Sequence, residues 1–194
     1  MTHSQTYLAE TSDIARLIDA EQIEKMVKEL VALRERKGRL FVIGLGGSAA
    51  NASHAVNDFR KLCGIEAYAP TDNVAELTAR ANDEGWPFIF GDWLQFATSN
   101  DAIFILSVGG GSETVSRPIV NAIAHCIIKN GGIHAKILAI VGRNGGHTAM
   151  KADCCLIIPT VEPFRVTPHT EGWQSVVLHC LVSHPDLQRN ATKW

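Results

Sequence analysis

The chain has 194 residues, 46% of them hydrophobic and 20% charged, with 18 basic and 20 acidic residues for a net charge of −2. That length suits one domain with a sizeable core and excludes a disordered chain, and the charge balance offers no basic footprint for nucleic acid or an anionic membrane. The five cysteines, two of them adjacent at Cys154 and Cys155, form no disulfide framework and fit reduced thiols in a cytoplasmic protein.

The amino-terminal stretch shows no apolar signal-peptide core, and no run approaches the roughly 18–20 apolar residues of a membrane span. Residues 8–36 carry apolar side chains at helical spacing, with a break near Asp19 that can cap a second segment. Arg39–Ile43 reads as a buried strand ending in Gly44, and Ser48–Leu62 as a helix. Ile65–Ala69 reads as a strand, and Asn73 as the cap of a helix over Val74–Asn82. Residues 86–97, rich in aromatics, are expected to be a further helix. Ala102–Ser107 is the clearest strand, followed by a helix over Glu113–Asn130 that Gly131 and Gly132 close. A strand over Lys136–Val141, a short helix over His147–Ala152 and a strand over Cys155–Ile158 follow. A last helix is expected from about Gly172 to Ser183, stopping before Pro185. Apolar strands alternating with amphipathic helices define an α/β fold: five parallel strands with helices on both faces, whose ligands bind at the carboxyl ends of the strands.

Three strands end in glycine loops: Gly44–Ser48, Ser107–Ser112 and Gly142–Gly146. Glycine turns expose backbone N–H groups, and Ser48, Ser107 and Ser112 add hydroxyl donors, a combination suited to a phosphate monoester. The pattern Gly44-x-Gly46-x-x-Ala49 also matches a dinucleotide fingerprint. Its acidic partner would be Glu66, which starts rather than ends the next strand, and the fingerprint leaves Ser107–Ser112 unexplained. His54 and Asp58 are four residues apart, on one helix face, where they can share a metal ion or act as acid and base. His179 is flanked by Val176, Val177, Leu178, Leu181 and Val182 and reads as buried. On one straight helix Glu171 and His179 would lie about 12 Å apart. Glu171 must then precede the helix, or one of the two must come from a neighbouring subunit, if they are to hold one ion.

The stretch GLGGSAANASHAVND over Gly44–Asp58 resembles the GNGGSAADAxHFAAE signature of the phosphoheptose isomerase family, within the sugar isomerase (SIS) domain superfamily. Ser107–Ser112 falls where that family carries a Ser-Thr-Ser-Gly-Asn-Ser phosphate loop, and the helix with His179 resembles its closing helix. The resemblance implies a single SIS domain over 1–194, with a helical oligomerisation segment over 1–37 and a flavodoxin-like five-stranded core over 38–194. It also implies a homotetramer with active sites between subunits, and an aldose–ketose isomerisation of a sugar phosphate without a nucleotide cofactor. Through it the phosphate falls to Gly46, Gly47, Ser48, Ser107, Gly109, Gly110, Gly111 and Ser112. Catalysis falls to Asp58, Glu171 and His179, and one zinc ion per subunit to His54, Asp58, Glu171 and His179. The chain departs from the family pattern where Asp58 replaces a Glu, Glu171 a Gln, Leu45 an Asn and Asn51 an Asp. Val108, Gly109 and Gly111 drop polar side chains of the phosphate loop. Two imidazoles and two carboxylates make a good divalent-metal set. The expected reaction converts sedoheptulose 7-phosphate into a heptose 7-phosphate. A non-catalytic SIS module, serving as a sugar-phosphate sensor or an adaptor for a replication initiator, is the alternative. A nucleotide-binding dehydrogenase is the third reading.

Overall fold

Residues 1–128 and 135–192 are described in a computed structural model of the chain. The first two helices are α1 (His3–Leu17) and α2 (Ala20–Glu35). Thr2 opens α1 with a reciprocal cap: its hydroxyl accepts from the Gln5 N–H while the Gln5 side chain accepts from the Thr2 N–H. Asp19 caps α2 by accepting from the Glu21 and Gln22 amides, so the break expected there is a capped junction. The core follows as β1 (Leu40–Gly44), α3 (Gly47–Cys63), β2 (Ala67–Tyr68), α4 (Val74–Asp83), β3 (Ala102–Ser107), α5 (Arg117–Ile128), β4 (Lys136–Val141), α6 (Gly146–Lys151), β5 (Cys154–Ile157) and α7 (Val166–Val182).

The five strands form one parallel sheet in the order β2-β1-β3-β4-β5. Alternate side chains of each strand feed opposite cores, as a sheet covered on both faces requires. Leu40, Val42, Phe104, Leu106, Leu138 and Ile140 pack with α1, α2, α3 and α7. Phe41, Ile43, Ile103, Ile105, Ile137 and Val141 pack with α5 and the 89–94 segment. The register pairs Gly44 with Leu106 and Ser107 with Val141, so the loops after β1, β3 and β4 leave the sheet side by side. The chain reverses direction across the sheet between β1 and β3, the point where doubly wound folds open a ligand crevice.

Three expectations are corrected. Residues 86–97 are two short 3₁₀ turns, Trp86–Phe88 and Trp93–Phe96, not one helix. Pro87 lacks the N–H that a longer helix would use, and Gly91 is a poor helix former between them. The helix expected from Glu113 begins at Arg117. Pro118 is tolerated only in a first turn, and Ser112 Oγ holds the preceding segment as a turn by accepting from the Thr114 and Val115 amides. The closing Gly131 and Gly132 lie outside the described residues. The last helix begins at Val166, not Gly172, with Pro168 in its first turn.

Helix α1 is clasped to the start of α7. Glu10 accepts from Arg165 Nε at 2.8 Å and lies 2.8 Å from His169 Nε2, while Tyr7 stacks on the buried His169 ring. The Arg165 hydrogen bond, followed by that of His169, lowers the Glu10 pKa from 4.5 to about 2. A depressed carboxylate pKa adds stability that is fully present above about pH 4.5 and is lost as pH falls towards 2. Glu10→Gln is therefore expected to lower the thermal midpoint at pH 6–8, with the gap to the wild type closing on acidification through that window. A gap of constant size down to pH 2 would refute the clasp.

Candidate active site

A cavity of about 440 Å³ opens at the carboxyl ends of β1, β3 and β4. Its wall comprises Leu45 and Ser48 after β1; Ser107, Val108, Gly109, Gly111, Ser112, Val115 and Ser116 after β3; Arg143 after β4; and Thr167 from α7. Ser48 is only 1% exposed, and its hydroxyl has no hydrogen-bond partner among the described residues. A buried hydroxyl left without a hydrogen bond is uncommon in a folded protein and marks a place where a ligand or water atom completes the set. Ser107 Oγ accepts from the Gly110 N–H at 3.0 Å and Ser112 Oγ from the Val115 N–H at 3.1 Å, which leaves both O–H groups able to donate.

The glycines of the three loops have different tasks. Gly46, at φ 61°, turns the chain into α3. Gly47 lets the Glu171 carboxylate pack onto the backbone, because a Cβ there would meet Glu171 Oε2 at 2.5 Å. Gly109 and Gly111 line the cavity, whereas Gly110 is pressed against Gly145 of the third loop. That third loop buttresses the second: the His147 and Thr148 amides donate to the Gly111 and Gly110 carbonyls, each at 2.9 Å. Its contribution to the wall is Arg143, the only charged residue among the three loops and a residue that sequence reasoning passed over. Ser116 and Thr167 are further wall residues without a sequence signal, since both lie in segments expected to have other secondary structure.

The second part of the site lies further along α3. His54 Nε2 and His179 Nε2 are 3.1 Å apart, and Asp58 Oδ2 lies 3.2 Å from the first and 3.6 Å from the second. One ligand atom from each of the three lies within 4.8 Å of the others, a set able to hold a metal ion. The Asp58 side chain is 7% exposed, and its Oδ1 accepts from Asn57 Nδ2 at 2.9 Å. His179, expected to be buried, is half exposed: Val177, Leu178, Leu181 and Val182 take the core face of α7 while His179 and Val176 turn outward. Glu171 does not join the cluster within one chain. It sits inside α7, two turns before His179, with its carboxylate at the start of α3. The option of Glu171 preceding the helix is thereby excluded. Asn51 joins α3 to α7 by donating to the Glu171 carbonyl at 2.9 Å and to the buried Gln174 Oε1 at 3.1 Å. A carboxylate at that position would face two oxygens, which accounts for the amide.

Fold and site together define an α/β protein with the sugar isomerase fold: a parallel sheet with a hydroxyl-lined cavity at its switch point and an imidazole–carboxylate cluster alongside. A structure of phosphoheptose isomerase from Neisseria gonorrhoeae superposes with a TM-score of 0.80 at 20% identity, covering 92% of this chain and 95% of that one. One from Francisella tularensis does so with a TM-score of 0.80 at 22% identity, covering 94% and 97%. The chain belongs to the phosphoheptose isomerase family, sugar-phosphate isomerases: it is 32% identical over 158 residues to a probable phosphoheptose isomerase of Thermoplasma volcanium, covering 78% of this chain and 76% of that protein. No family model matches the chain. No helix among the described residues is long and apolar enough to cross a membrane.

Proposed function

We propose that this chain interconverts sedoheptulose 7-phosphate and D-glycero-D-manno-heptose 7-phosphate, moving the carbonyl between C2 and C1 in heptose biosynthesis in the cytoplasm. The observation that carries this reading is the layout of α3. Ser48 stands at its start in the cavity wall, with His54 and Asp58 six and ten residues further on. At 1.5 Å per residue those intervals are roughly 9 and 15 Å. That separation suits an open-chain sugar with its phosphate at one end and its carbonyl at the other.

The chemistry needs a base for the proton alpha to the carbonyl and an acid to move a proton between the two oxygens. Asp58 lies against His54, His179 and Asn57, whereas the Glu171 carboxylate lies against Gly47 at the phosphate end of that layout. We assign Asp58 the base role, with His179 as its acid partner. His54, Asp58 and His179 would hold the zinc ion, which when bound polarises the carbonyl. The fourth ligand place expected of Glu171 is then left to substrate, to water or to a neighbouring subunit. The outward-facing Val176, 50% exposed beside His179, and Phe164, 95% exposed before α7, support a homotetramer with its sites near subunit contacts.

The test is incubation with sedoheptulose 7-phosphate, with and without a chelator, followed by detection of the product and light scattering on the same sample. Conversion that chelation removes and zinc restores is expected, with a rate loss of about 10²–10⁴ for Asp58→Asn. No conversion in either condition would overturn the isomerase reading in favour of a non-catalytic sugar-phosphate binder.

A further inference from the structure

Among the described residues that line the cavity, one is charged, Arg143, and none is acidic. Its polar side chains can all donate: the unpartnered hydroxyl of Ser48, the hydroxyls of Ser107 and Ser112 whose oxygens already accept, the hydroxyls of Ser116 and Thr167, and the guanidinium of Arg143. A wall of donors with one fixed positive charge selects an acceptor-only anion. Other arginines of the chain are engaged: Arg39 with Asp101, Arg80 with Glu76 and Glu84, Arg165 with Glu10. Arg143 forms no hydrogen bond or ion pair with any described residue. Its backbone sits at φ 52°, a left-handed conformation that side chains with a Cβ rarely adopt. Glycine would fit that position with less strain, and Gly142, Gly145 and Gly146 surround it. A non-glycine residue kept in such a conformation at the rim of a cavity points to a use for its side chain.

We propose that Arg143 binds the phosphate of the substrate and sets the preference for phosphorylated over free sugars. A phosphate monoester brings close to two negative charges and three terminal oxygens. The planar guanidinium can bind two of those oxygens at once, while the serine hydroxyls reach the rest. Val108, Gly109 and Gly111 offer no side-chain donor on the β3 loop, so the charge must come from across the cavity, on the β4 loop. This assignment rests on the sugar-phosphate reading above, but its test does not need turnover.

Inorganic phosphate is titrated calorimetrically into the full-length wild type, Arg143→Gly and Arg143→Lys at one ionic strength, with thermal melts of each. Arg143→Gly removes the guanidinium and relaxes the backbone. Its midpoint is expected to equal or exceed the wild type, while phosphate affinity falls about 10- to 100-fold. Arg143→Lys is expected to fall between the two, since an ammonium keeps the charge but not the fork. For the ketose phosphate, KM is expected to rise by a similar factor with kcat changed only a few-fold. Undiminished phosphate affinity in Arg143→Gly, or no phosphate binding by the wild type, overturns the assignment. Arg143-dependent phosphate binding in a protein that isomerises no heptose phosphate upholds it and sinks only the isomerase reading.

Discussion

Replacing His179 with alanine is expected to abolish turnover, by about 10²–10⁴ or more, while the thermal midpoint barely moves. The two halves of this expectation have separate grounds. The His179 side chain is 50% exposed, so its removal leaves no core cavity, and among the described residues its polar contacts are with His54 and Asp58. Those contacts are the candidate metal and proton-transfer centre, so a ligand and a proton carrier are lost together. Metal analysis of the purified wild type is expected to find about one zinc or similar ion per chain, and of the variant, markedly less. A variant that retains wild-type kcat would remove His179 from the mechanism. A metal-free wild type whose activity resists chelators would leave His54, Asp58 and His179 as a metal-independent acid–base set.

Gly110→Ala is expected to destabilise the protein by about 3–5 kcal/mol, the upper end of single-substitution effects, and to eliminate phosphate binding. Gly110 sits at φ 67°, and a Cβ there would run into the carbonyl of Gly145. The obstruction is backbone against backbone and cannot be relieved by turning a side chain. It would also separate Gly110 from α6, where the Thr148 amide and hydroxyl both donate to its carbonyl, at 2.9 and 2.7 Å. Gly46→Ala is the control: φ is 61° there, but nothing lies within 4 Å of the added methyl. Its cost is then the backbone strain alone, roughly 1–3 kcal/mol, for a residue with a Cβ held at φ 61° and ψ −128°. Chemical denaturation of the two variants separates the effects, and equal losses would show that the contact between the loops carries no weight.

Local pattern alone established the alternation of strands and helices, the Asp19 cap and the position of the glycine loops. Each depends on residues within a few positions of one another, whose backbone preferences and apolar spacing act before any tertiary contact forms. The family motif over Gly44–Asp58 likewise marked Ser48, His54 and Asp58 in a single stretch. Packing decided the rest. The apolar neighbours of His179 suggested burial, yet a one-residue step on a helix turns a side chain by about 100°, and the contact of α7 with α3 determined which face is outward. His54 and His179 meet across 125 residues of sequence, a distance over which no local pattern operates. Glu171 parts from them because α7 starts at Val166 and carries it along the same rigid helix, two turns away. Arg143 reads as an ordinary loop residue until the register of β3 and β4 brings the β4 loop beside Ser107 and Ser112. Convergence of side chains from separate elements is a property of how those elements dock, and so only the tertiary structure could supply it.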